Sequence, residues 1–257
     1  MLGAIIGDVI GSVYEFNNIK TKKFPLFSPQ SRFTDDTVLT LATIDSLLNK
    51  KPFAQTYRYW GRAYPDAGYG RSFWHWAKSA TAEPYNSWGN GSAMRVSPIG
   101  FYYETIAQVL SKAKESAEIT HNHPEGIKGA QAVAACIFLA RKGKSKTVIK
   151  EYIETRFQYN LSQSLDQIRP WYKFDVSCQG SVPQAITAFL ESRDFEDAIR
   201  SAVSLGGDSD TIACITGAIA EAYYQFIPEH MVIETRKRLD VKMLNLLDDF
   251  YKIYKKT

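Results

Sequence analysis

The chain has 257 residues, enough for a sizeable core and near the upper limit for one domain. Hydrophobic residues make up 45% and charged residues 23%, an ordinary globular balance, and the net charge of +4 is a mild excess spread along the chain. Three cysteines, with no Cys-x-x-Cys, exclude a disulfide framework and a cysteine-ligated zinc site.

The N-terminal "MLGAIIGDVIGS" has no basic region, and Asp8 interrupts it early, so neither a signal peptide nor a membrane span is expected. A cytoplasmic protein is expected. Gly3, Gly7, Gly11 and Glu15 recur every fourth residue and would share one helix face. Glycine there costs about 1 kcal/mol relative to alanine, and the usual return is close helix packing. Helical spacing of apolar residues recurs at 37–50, 126–144, 182–192, 194–207, 210–224 and 241–256, while period-two alternation is almost absent. These patterns predict one all-α domain over 1–257, of many short-to-medium helices. Loops at 17–33, about 61–70, 80–92 and 158–180 are long and aromatic, which argues for function rather than disorder.

Two acidic clusters stand out. "TDDT" (Thr34, Asp35, Asp36, Thr37) and "GGDSDT" (Gly206 to Thr211) each precede an apolar helix. Asp and Thr are good caps, and acids near a helix N-terminus are favoured by the dipole. One cap suffices, however, and each cluster spends two acids. Asp208 and Asp210 converge only if the chain is still turning there, which Gly206 and Gly207 permit. Convergent carboxylates and hydroxyls without Cys or His suit a hard cation, Mg²⁺ first and Mn²⁺ or Ca²⁺ next, and four aspartates suit two such ions. An EF-hand is excluded because Ile212 stands at its fifth position and its glycine is missing.

"SWGNGSAMRVSPIG" places Gly89, Asn90, Gly91 and Ser92 before a helix-like stretch. Such a turn can form an anion nest, although it is neither a Walker A loop nor a Rossmann fingerprint. The pair in "THNHPEG" lacks the further ligands that zinc wants, so a cap role before the following helix or a ligand contact is expected.

In order, "GDVIGSVYEF", "TDDT", "GNGSAMRVSPIG", "THNHPEGIKGAQA" and "SLGGDSDTIACITGAIA" resemble the ADP-ribosylglycohydrolase family. The resemblance spans Gly3 to about Pro228 and is specific as an ordered set. It implies an all-α fold with two Mg²⁺ or Mn²⁺ ions at the base of a cleft. It implies metal ligation by Thr34, Asp35, Asp36, Asp208, Asp210 and Thr211. Glu15 matches a glutamate near the metals with a ligand or base role. Asn90, Gly91 and Ser92 match the loop that holds a diphosphate, His121 matches a histidine lining the ADP-ribose pocket, and Asp66 matches an acid over the substrate ribose. The implied reaction is hydrolysis at C1″ of an ADP-ribosyl group, with Glu15 or a metal-bound aspartate such as Asp36 or Asp210 taking a proton from water. Arginine is the family's default linkage, and serine, a nucleic-acid base or a small ester are the alternatives. The partners implied are an ADP-ribosylated protein or small ADP-ribosyl conjugate and the ADP-ribose product. A monomer is the default, with no membrane partner and with nucleic acid only if the modified group is a base. A non-catalytic ADP-ribose binding module would need the diphosphate loop but not two acidic clusters. An all-α isoprenoid synthase would want its aspartates one helical turn apart, and Leu39 follows "DDTV".

Overall fold

The computed structural model describes residues 1–81 and 83–254. Its helices run α1 (Leu2–Gly11), α2 (Asp35–Asn49), α3 (Phe53–Ala63), α4 (Arg71–Lys78), α5 (Gly91–Met94), α6 (Ser97–Tyr102), α7 (Ile106–Glu118) and α8 (Pro124–Arg141). They continue α9 (Lys146–Phe157), α10 (Leu165–Ile168), α11 (Cys178–Glu191), α12 (Phe195–Val203), α13 (Ser209–Tyr224), α14 (Glu229–Arg236) and α15 (Val241–Tyr254). Among the described residues the one β-type pairing is an isolated bridge between Gly89 and Ser177. No helix there is long and apolar enough to cross a membrane.

The all-α expectation therefore holds, and α1 shows why the glycines are spaced as they are. All ten of its residues are buried, and it lies along α13. A Cβ at Gly3 would sit 2.3 Å from the Gly217 carbonyl oxygen, and one at Gly7 would sit 2.0 Å from that of Ala213. At Gly11 it would meet the Asp210 Cα at 2.4 Å. Only bare backbone lets the two axes approach this closely. Glu221 on α13 accepts the Gly3 amide at 2.7 Å, and the Tyr251 hydroxyl of α15 accepts that of Leu2 at 3.0 Å, so the start of α1 is capped by other helices.

One expectation is corrected. Glu15 does not continue the glycine face, because α1 ends at Gly11 and the chain turns there, Tyr14 N–H donating to the Gly11 carbonyl at 2.8 Å. Asn18 holds the turned segment. Its amide donates to the Tyr14 and Glu15 carbonyls, both at 2.8 Å, and to that of Gly207 at 3.0 Å. Its oxygen accepts the Gly207 amide at 2.8 Å. Glu15 thus reaches the acids of "GGDSDT" through a turn pinned to that cluster.

Candidate metal centre and ligand cleft

The end of α1 and the starts of α2 and α13 meet at one point. Thr34 is the N-cap of α2, its side chain accepting from the Asp36 amide, and Asp35 and Asp36 occupy the first turn. Asp208 holds the corresponding position on α13 but makes no side-chain cap bond. Instead its Oδ2 accepts from the Asn90 side-chain Nδ2 at 2.7 Å. Gly206 and Gly207, at φ of 69° and 75°, supply the left-handed turn that brings Asp208 and Asp210 to the same side.

Two acidic triads result. Asp8, Asp36 and Asp210 each offer an oxygen within 4.8 Å of the others, and so do Glu15, Asp208 and Asp210. Asp210 belongs to both. Thr211 Oγ1 donates to Asp36 Oδ2 at 3.2 Å. Asp36 Oδ1 is buried and has no partner among the described residues.

Asp8 differs from the rest, and its place in the cluster was not foreseen. Its Oδ2 accepts the Thr34 amide at 2.9 Å, the Thr37 amide at 3.1 Å and the Thr37 hydroxyl. Its Oδ1 accepts the Thr34 hydroxyl at 2.7 Å. Four donors from Thr34 and Thr37 converge on this one carboxylate, so Asp8 fixes the start of α2 from another helix. The sequence signal was a single charged residue inside an otherwise apolar buried helix.

Electrostatics agree with this division. Burial raises Asp8, although its four hydrogen bonds pull the other way. Burial, and then repulsion from Asp210 and Asp8, holds Asp35 and Asp36 well above the usual carboxylate range. Burial followed by Asp208 and Asp8 does the same to Asp210. Burial pushes Asp208 up to about 6, with hydrogen bonding from Asp210 and Asn90 limiting the rise. Glu15 is pushed up to about 7 by burial, then by Asp210 and Asp8, with Arg32 opposing. Carboxylates that raise one another in this way, with an orphaned buried oxygen on Asp36, fit a hard divalent cation.

Above the acids lies a cavity of about 460 Å³. Glu15, Thr34, Asp35, Asp36, Asp208, Asp210 and Thr211 line its base, and Gly89, Asn90, Gly91 and His121 line a wall. That wall is pinned to the 176–178 strand-like segment: Asn90 N–H donates to the Val176 carbonyl at 2.7 Å, and Cys178 N–H to that of Trp88 at 2.9 Å. Gly91 is bare because the His121 ring fills the space, its Nε2 lying 3.1 Å from where a Cβ would stand.

Two expected ligand contacts are placed elsewhere. The Ser92 hydroxyl is fully buried and donates to the Gly126 carbonyl at 2.7 Å, facing α8 rather than the cavity. Asp66 is exposed on the turn after α3, whose neighbours Ala67 and Gly68 line the cavity while Asp66 does not. His123 is the N-cap of α8, its ring accepting from the Glu125 amide, so the two histidines of "THNHPEG" divide the cap and cleft roles. In "RSFWHWAKSA", Phe73 and Trp76 are core, and only Arg71, Ser72 and Phe73 reach the cleft.

A family profile described as ADP-ribosylglycohydrolase matches residues 1–257. The chain is 29% identical over 305 residues to human "ADP-ribosylhydrolase ARH3", covering 87% of this chain and 84% of that one. It is 26% identical over 264 residues to "ADP-ribosylarginine hydrolase Tri1" of Pseudomonas putida, covering 87% and 69%. A solved structure titled "ADP-ribosylglycohydrolase-related protein complex" shares the fold at a TM-score of 0.72 and 24% identity, covering 98% of this chain and 97% of that one. Motif order, helical architecture and full-length profile agree: the chain belongs to the ADP-ribosylglycohydrolase family.

Proposed function

We propose that this hydrolase is cation-dependent and cleaves the glycosidic bond at C1″ of an ADP-ribosyl group, with arginine as the favoured linkage. The observation that carries the reading is the convergence of Asp36, Asp208 and Asp210, with Glu15 beside them, beneath the 89–91 wall. Two Mg²⁺ or Mn²⁺ ions would be held by Asp36, through its unpartnered Oδ1, with Thr34, Asp35, Asp208, Asp210 and Thr211. When bound, they supply charge compensation and Lewis acidity at the base of the cleft.

The chain's own residues do the rest. Asn90 is tied to Asp208, so a diphosphate held on the 89–91 wall sets the ribose over the acids, and remote binding becomes orientation at C1″. Positive charge developing on the ribose ring faces a strongly acidic floor. The Glu15 carboxylate, at the cleft beside Asp208 and Asp210, would take a proton from the attacking water. Beside it the rings of Phe16 and Phe174 stack with centroids 6.2 Å apart at the cleft, a surface on which a guanidinium stacks well.

The deciding experiment measures free ADP-ribose released from ADP-ribosyl arginine, serine, a nucleic-acid base and a small ester, with Mg²⁺, Mn²⁺ or EDTA. Release from the arginine conjugate that EDTA abolishes is expected. Tight ADP-ribose binding with no release from any conjugate would make the chain a binding module instead.

A further inference from the structure

Arg95, the C-cap of α5, is fully buried and stands beside the cleft. Its Nη2 donates to the Ser116 carbonyl at 3.0 Å and to Thr120 Oγ1 at 2.7 Å, and its guanidinium carbon lies 4.3 Å over the Tyr57 ring. Its Nε and Nη1 have no partner among the described residues. A buried cation this poorly paired is costly, so the fold keeps it for an effect that a neutral side chain would not give.

That effect runs through Thr120. One lone pair of its hydroxyl is taken by Arg95. The His121 Nδ1 lies 2.8 Å from the same oxygen. The hydroxyl proton still needs an acceptor, and an unprotonated imidazole nitrogen is a stronger one than the other nearby candidate, the phenol of Tyr85. A neutral imidazole has one N–H, so acceptance at Nδ1 puts the proton on Nε2. Nε2 is the atom packed against Gly89 and Gly91, where Cβ atoms would stand 3.6 and 3.1 Å from it. Burial and the charge of Arg95 both hold His121 well below the ordinary imidazole range, consistent with a neutral ring.

We infer that Arg95 and Thr120 are positioning residues that lock His121 as the Nε2–H tautomer, a donor aimed at an anionic oxygen of the ligand on the 89–91 wall. The ligand part rests on the ADP-ribose reading above. Both side chains are fully buried. They act by fixing which ring nitrogen carries the proton.

The test uses the full chain labelled with ¹⁵N-histidine, with His121 assigned by comparison with His121→Gln. Two-bond ¹H–¹⁵N spectra of the free protein at neutral pH are expected to show His121 neutral with its proton on Nε2. Thr120→Val should lose that preference and bind ADP-ribose about tenfold more weakly, the size of one hydrogen bond to a charged group, and Thr120→Ser should restore both. An Nδ1–H tautomer or an imidazolium in the unmutated protein overturns the inference. So does a Thr120→Val protein that keeps both properties, or a loss of affinity that Thr120→Ser does not rescue. Because the tautomer is read without ligand, a chain that ignores ADP-ribose would refute the functional reading while the spectrum still decides the relay.

Discussion

Thr34 donates twice to Asp8, from its amide to Oδ2 at 2.9 Å and from its hydroxyl to Oδ1 at 2.7 Å, so a residue of α1 caps α2. The start of α2 carries Asp35 and Asp36, and its position is therefore set by α1 and not by local sequence alone. Asp8→Ala leaves four buried donors unanswered. With Mg²⁺ present, which removes relief of repulsion as a competing gain, it should lower unfolding free energy by at least about 2 kcal/mol. Denaturant titration measures this, and a change within about 0.5 kcal/mol would show that the bonds to Asp8 are not needed.

Asp36→Asn and Asp210→Asn keep the size of the side chain and remove a charge. Turnover of ADP-ribosyl substrate should fall by orders of magnitude, since Asp210 belongs to both triads and Asp36 to one. Far-ultraviolet circular dichroism should be unchanged. Near-normal turnover in both variants, with EDTA harmless, would sink the cation-dependent mechanism.

The same acids predict a pH dependence for the metal-stripped protein. Glu15 is pushed up to about 7 and Asp208 to about 6 in the fold. Unfolded carboxyls titrate near about 4, so between these values the folded chain binds more protons than the unfolded one. Stability then falls as pH rises through the window. Thermal melts in EDTA should give a higher midpoint at about pH 5 than at about pH 8, and added Mg²⁺ should recover most of the loss at the higher pH. A midpoint that is flat across the range, or that rises with pH, contradicts the repulsion described here.

Gly7→Ala tests the contact between α1 and α13. Its Cβ would lie 2.0 Å from the Ala213 carbonyl oxygen and 2.7 Å from the Cys214 amide nitrogen, both backbone atoms that cannot rotate away. Forcing the helices apart should cost about 3 kcal/mol or more and shift Asp210 away from Asp36, so stability and turnover fall together. By contrast Gly143→Ala, at a position with nothing within 4 Å, should cost only the strain of its φ of 71° and leave turnover intact. Equal effects of the two would show that close approach is not what Gly7 provides.

Sequence alone was enough for the helical class, for the close glycine face of α1, and for the convergence of Asp208 and Asp210 across Gly206 and Gly207. Each of these is a local property, either a periodicity, a missing Cβ or a backbone turn. The order of the motifs likewise pointed to the family. Tertiary structure decided the rest. Whether Asp8 is a ligand or a cap depends on which donors reach it from α2, and no spacing in the chain states that. The Ser92 hydroxyl faces α8 because of how α5 packs, although its neighbour Asn90 faces the acids. Glu15 reaches the cluster only because Asn18 ties its turn to Gly207, 189 residues away. Hydrogen-bond partners across such separations are fixed by packing, since a side chain's neighbours along the chain carry no record of what the fold brings against it.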